Sequence, residues 1–147
     1  MKTIILTFAL AATFCSSAFS TPCDHSTLTI KNNSQSDIII DHVNETIQPA
    51  IRTRGIVVNL ESKTRIAPGK SHTATFENNF FSGYGNWGTF DLVRSNGTLA
   101  ARVNYNFQTH SHSEKICHAN VAIEAFSKPV YGKVANGSPA RINLNVR

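Results

Sequence analysis

From Thr27 onward, apolar and polar side chains alternate in short runs broken by turn-forming residues. That is the period-two signature of half-buried strands, not the 3.6-residue period of an amphipathic helix. Leu28 and Ile30 alternate with Thr27 and Thr29, Ile38 to Ile40 form a continuous apolar run, and Ile56, Val58 and Leu60 share one face, which gives three opening strands. Ile66-Ala67-Pro68-Gly69-Lys70 then supplies a turn, because proline presets one dihedral and glycine accepts a positive one, before Ala74 and Phe76 resume the alternation. The clearest unit runs from Thr89 to Phe107. Phe90 and Leu92 lead into Ser95-Asn96-Gly97-Thr98, and Leu99, Ala101, Val103, Tyr105 and Phe107 lead out, as in a β-hairpin.

Lys115 to Phe126 fits two periods. Cys117, Ala119, Val121, Ile123 and Ala125 make a strand face, while Ile116, Ala119, Ile123 and Phe126 match helical spacing; the strand is favoured. A turn at Asn136-Gly137 and the alternation of Ile142, Leu144 and Val146 with Arg141, Asn143 and Asn145 predict a final hairpin. The pattern predicts a single antiparallel β-sandwich of about seven to nine strands. Its expected core is Leu28, Ile30, Ile38, Ile40, Val58, Phe90, Leu92, Val103, Tyr105, Leu144 and Val146.

The segment before Thr21 is of a different kind. Lys2 precedes a nearly unbroken apolar run from Ile4 to Cys15, and Ala18-Phe19-Ser20 places small residues where a signal peptidase reads. Residues 1–20 are expected to be a cleaved signal and 21–147 one domain, secreted or periplasmic. The apolar run, about a dozen residues, is short of the roughly 20 needed to span a bilayer. Bulky Phe14 before Cys15 argues against lipid attachment there. With Cys15 removed, Cys23 and Cys117 remain, and in an oxidising compartment two cysteines allow one pairing; a pair of free thiols is the alternative. Loss of Lys2 takes the formal charge from +5 to +4. Arg52, Arg54, Lys63, Arg65, Lys70, Arg94 and Arg102 are scattered, which argues against a nucleic-acid surface and permits attraction to anionic lipid or glycan.

Aromatic residues crowd one stretch. Phe76, Phe80, Phe81, Tyr84, Trp87 and Phe90 share it with Gly83, Gly85 and Gly88, and Asn78 to Phe90 carries no charge. Phe76 and Phe90 fall on inward strand faces. Phe80, Phe81, Tyr84 and Trp87 lie where the alternation has stopped, so they are the candidate binding residues, with a membrane interface as the first expected partner. A glycan or a protein is the rival partner. A sugar would stack on Trp87 or Tyr84 and use Asn78, Asn79, Asn86 and Asp91 as donors and acceptors, whereas a protein would use the same loop as a hot-spot patch.

The order of these features resembles the aegerolysins: Leu28 to Ser34, then Ile66-Ala67-Pro68-Gly69-Lys70-Ser71, then a glycine-rich stretch into Gly88-Thr89-Phe90-Asp91-Leu92. The resemblance covers roughly Thr27 to Phe107. It implies a small β-sandwich that binds particular membrane lipids and, in some members, recruits a second, pore-forming protein. The chain departs from that family in its signal-like start, basic balance and single tryptophan, and Gln108 to Lys115 is rich in His and Ser where the family is aromatic. No lipid-headgroup residue carries over; only Gly88, Phe90 and Asp91 match, with an expected role in shaping the turn.

Other chemistry is sparse. His110 and His112 are two apart and point to one side of an extended chain, and the disulfide would bring His25 towards His118, so these four are the metal candidates. Their spacing fits no established zinc pattern, and a solvated loop explains them as well. No cofactor is expected. The hydrolase nucleophile elbow, the paired-histidine metalloprotease helix and the phosphate-binding glycine loop are all missing from the sequence, so the expectation is a binding protein and not an enzyme. Asn32, Asn44, Asn96 and Asn136 match the glycosylation acceptor pattern.

Overall fold

The apolar half of each alternating run needs a second apolar face to cover it, and two such sheets packed face to face meet that need. The computed structural model describes residues 22–46, 55–78, 86–110 and 113–147. Among them are ten strands: β1 (Thr27–Asn32), β2 (Ile38–Thr46), β3 (Gly55–Val58), β4 (Thr64–Ile66), β5 (Ser71–Asn78), β6 (Asn86–Arg94), β7 (Leu99–Gln108), β8 (His118–Ala125), β9 (Val130–Ala135) and β10 (Arg141–Val146). They form two five-stranded sheets, ordered β3-β5-β1-β10-β9 and β4-β2-β6-β7-β8. Every pairing is antiparallel except β1 with β10, which run parallel. That exception closes the first sheet by setting the opening strand beside the last one.

The expected core is inside. Leu28, Ile30, Ile38, Ile40, Phe90, Leu92, Val103, Tyr105, Leu144 and Val146 are all buried, joined by Phe76, Phe107 and Ile142. Val58 is only half-buried, because β3 is an edge strand. Phe76 of the first sheet meets Phe107 of the second at 5.9 Å between ring centroids, and Tyr105 continues the aromatic seam at 6.3 Å from Phe107 and 6.1 Å from Phe90. Such tilted pairs add to area burial at the centre of the sandwich.

The turns follow their residues. Ala67-Pro68-Gly69-Lys70 closes with the Lys70 N–H donating to the Ala67 carbonyl (3.0 Å) and Gly69 at φ 73°. The β6–β7 hairpin turns at Ser95 to Thr98, with Gly97 at φ 83°. Lys115 to Phe126 resolves in favour of the strand: β8 pairs residue for residue with β7. Ile116 and Phe126, which helical spacing would have turned inward, are about half exposed. The last hairpin pairs β9 with β10 as expected.

The Cys23–Cys117 disulfide is present. Cys23 precedes β1 of one sheet and Cys117 precedes β8 of the other, so the bond ties the two sheets at one end of the sandwich. At that end β2, β5 and β7 finish while β3, β6 and β8 begin.

Candidate functional site

Of the four aromatic binding candidates, Phe80, Phe81 and Tyr84 lie outside the described residues, as does Asn79. Trp87 is described. It is the second residue of β6 and half-buried, and it alternates with buried Asn86 and Gly88, so its ring belongs to the outer face of the sheet. Gly88 does not shape a turn, contrary to the role expected for it. It lies in mid-strand, where an added Cβ would come within 2.7 Å of the Tyr105 hydroxyl and 2.9 Å of its ring. Glycine is needed there because the Tyr105 ring occupies the side-chain position on the inner face. Phe90 and Asp91 are likewise inside β6, one in the core and the other in an ion pair.

The outer face around Trp87 is set by register. Trp87 pairs with Asn106 of β7, and Asn106 with Asn120 of β8; one step along, Thr89 pairs with Asn104, and Asn104 with Ala122. The two rows line an open depression of about 350 Å³, floored by the backbone of Gly88, Tyr105 and Val121. Asn120 donates from Nδ2 to Asn106 Oδ1 at 3.0 Å, fixing the orientation of that amide. Among the described residues no Asp, Glu, His, Lys or Arg lines the depression.

The next row along is charged. Asp91 pairs with Arg102, and Arg102 with Glu124, while Asp41 of β2 sits directly opposite Asp91. Facing carboxylates repel, and each has its own cation. Arg102 donates to Asp91 from Nε (2.9 Å) and Nη2 (3.2 Å), His42 Nδ1 lies 3.1 Å from Asp91 Oδ2, and Lys63 Nζ reaches Asp41 Oδ2 at 2.5 Å. His42 attains its position through a bulge in which two residues of β2 oppose one of β6, with His42 at φ 48°. The hydrogen bonds and charge of Arg102, with a smaller contribution from His42, hold the Asp91 carboxyl below its ordinary range against the opposing effect of burial. Asp41 is lowered in the same direction, first by the Lys63 hydrogen bond and then by the backbone N–H of His42.

A depressed carboxylate pKa stabilises the fold fully above the unfolded value, about 4, and that contribution is lost as pH falls through the folded value. Thermal melts followed by circular dichroism should therefore show a midpoint that drops below about pH 4. Arg102→Met should start from a lower midpoint at neutral pH and lose less on acidification. Parallel acid profiles in the two proteins would count against this role for Arg102.

Two of the four sugar-binding partners named from the sequence, Asn86 and Asp91, do not face outward. Asn86 is buried, and Asp91 is both buried and held in its ion pairs; the side chain of Asn78 and all of Asn79 lie outside the described residues. The amides that do face outward beside Trp87 are Asn104, Asn106 and Asn120. They occupy the polar half of the same alternation that places Val103, Tyr105 and Phe107 inside.

The histidines are partly gathered. The rings of His110 and His118 lie 4.4 Å apart between centroids. Glu114 joins them, accepting from the His110 backbone N–H with Oε2 at 2.5 Å and meeting His118 Nε2 with Oε1 at 2.5 Å. These bonds, led by the His110 backbone, lower the Glu114 pKa. His25 instead pairs with Asp24, and His112 lies outside the described residues. Among the described residues no three His, Cys, Asp or Glu side chains are arranged to hold a metal ion. Of the glycosylation acceptors, Asn32 is fully buried, which closes it to modification in the folded chain.

At the level of sequence, no family profile and no curated protein matches this chain. The fold does have counterparts. The crystal structure of the lipid binding protein Nakanori superimposes with a TM-score of 0.58 over 84% of this chain and 71% of its own, at 9% identity. IP-1A from Alcaligenes faecalis superimposes with a TM-score of 0.55 over 86% of this chain and 91% of its own, at 15% identity. At such identities the likeness is one of fold. The resemblance to the aegerolysins stands at that coarse level, as a sandwich also used by a protein that binds lipid.

Proposed function

We propose that this chain is a non-enzymatic binding protein, acting outside the cytoplasm, that docks on a membrane lipid surface with the end of the sandwich around Trp87. The observation that carries this reading is the half-exposed ring of the chain's one tryptophan, directed outward at the start of β6 and bordered by uncharged side chains. Indole favours the boundary between headgroups and acyl chains, where its apolar body and N–H are both accommodated. In sequence, the uncharged aromatic stretch lies directly ahead of Trp87, between Asn78, which ends β5, and Asn86, which opens β6. The basic balance adds attraction to anionic lipid. A shared fold with a lipid binding protein supports the reading, as the disulfide supports an oxidising compartment. No helix among the described residues is long and apolar enough to cross a membrane.

Vesicle co-sedimentation tests it. The protein without residues 1–20 should pellet with phosphatidylcholine vesicles and more so when phosphatidylserine is added. Trp87→Ala should weaken binding about tenfold or more with little change in thermal midpoint, because the ring is not part of the core. Unchanged binding by that variant would exclude Trp87 as the contact.

A further inference from the structure

Three asparagines on adjacent strand positions are unusual, since asparagine is depleted from strands and contributes little to sheet packing. The charged row beside them has an evident structural purpose in pairing Asp91 and Asp41. The asparagine rows have none. Asn104 and Thr89 make no side-chain hydrogen bond among the described residues, and Asn106 and Asn120 bond only to each other there.

We propose that the depression on the outer face of β6, β7 and β8 recognises a neutral hexopyranose, stacked on Trp87 and hydrogen-bonded by Thr89, Asn104, Asn106 and Asn120. The chemistry of the lining selects this class. An anion would need a cationic side chain and a cation a carboxylate, and among the described residues neither lines the site. A purely apolar ligand would desolvate the Asn104 amide, the Thr89 hydroxyl and the groups of Asn106 and Asn120 not used in their mutual bond, at a cost for each. A pyranose has one C–H face that suits an indole ring and a rim of hydroxyls that both donate and accept. A carboxamide also offers both functions on one plane.

Dimensions agree. Neighbouring strands lie about 4.8 Å apart and same-face residues about 6.8 Å apart along a strand, so two rows over three strands make a platform about 10 Å by 7 Å, the footprint of a sugar ring with its hydroxyls. The Asn120–Asn106 bond holds the Asn106 carbonyl towards β8 and leaves its N–H groups for a ligand, so part of the site is organised before binding.

This inference deepens the reading of the Trp87 face as a binding surface, but does not require the ligand to be a lipid. A glycolipid headgroup and a soluble glycan present the same ring. Because Trp87 is the chain's one tryptophan, its emission reports on the site alone. The methyl glycopyranosides of glucose, galactose and mannose would be titrated against the protein. Phosphatidylcholine vesicles with and without a neutral monohexosylceramide would be compared in parallel. At least one hexoside should change Trp87 emission saturably, and Asn104→Ala and Asn120→Ala should each weaken that binding about tenfold or more at an unchanged thermal midpoint. Both replaced side chains are exposed, so the fold should tolerate their loss.

If the hexosylceramide vesicles bind more tightly than plain ones and the hexosides compete, the source is a glycolipid. If hexosides bind and no vesicle does, the sugar site stands and the lipid reading falls. Equal binding to both vesicles, unaffected by either asparagine variant, overturns the sugar site and leaves the lipid reading intact. Absence of any saturable response to hexosides, free or on vesicles, also overturns it.

Discussion

Replacing Cys23 and Cys117 together by serine is expected to cost about 2 to 5 kcal/mol of folding stability. The bond joins residues 94 apart in sequence. In the chain-entropy view, cross-linking a loop of that length removes much of the freedom of the unfolded chain, and a loop of about 100 residues corresponds to about 4.7 kcal/mol. Both half-cystines are buried, so serine also leaves hydroxyls in an apolar setting, adding to the loss. The double variant avoids a lone reactive thiol. Urea unfolding of oxidised parent and variant measures the difference, and non-reducing peptide mapping should show the one crosslink in the parent. A loss under about 1 kcal/mol would mean that the unfolded chain is already restricted without the bond.

Asn32→Ala should cost about 3 kcal/mol or more, a large effect for one polar side chain. Asn32 closes β1 on the inner face, fully buried. Its Nδ2 donates to the carbonyls of Ser36 (2.8 Å) and Ile66 (2.9 Å), while its Oδ1 accepts from the Ser34 N–H (3.0 Å) and Oγ (2.6 Å). One amide thus holds the loop after β1 against the end of β4 in the opposite sheet. Alanine strands the Ile66 carbonyl and the Ser34 N–H in a place water does not reach, and each such group costs about 1 to 3 kcal/mol.

Asn32→Asp is the sharper test. It keeps the acceptors but turns a carboxylate towards two carbonyl oxygens, which with burial raises its folded pKa above the unfolded value. Its penalty should be largest at neutral pH and shrink as pH falls towards about 4, as the acid regains a donor. Melts of this variant that do not improve on mild acidification would contradict the assigned bonding.

Much of the fold was legible before any pairing was known. Period-two alternation states which side chains point inward, a local property of extended backbone, and for that reason Leu28, Ile30, Phe90, Val103, Tyr105 and Leu144 could be named as core. The Pro68-Gly69 and Asn96-Gly97 turns were legible because their dihedral requirements are carried by the residues themselves. The disulfide followed from there being one possible pair once the signal-like segment, with Cys15, was set aside. Even Asn32 carried a signal, since it continues the inward series of Leu28 and Ile30.

Tertiary structure decided what depends on neighbours distant in sequence. The parallel seating of β1 against β10, the choice of strand over helix for β8, and the role of Gly88 beneath the Tyr105 ring each follow from which strands lie side by side. So does the candidate site. Trp87, Asn106 and Asn120 belong to three different strands, and only the register of β6 on β7 and of β7 on β8 puts them in one row. A strand by itself fixes the face on which a residue lies; long-range pairing, set by burial of both sheets at once, fixes what stands beside it.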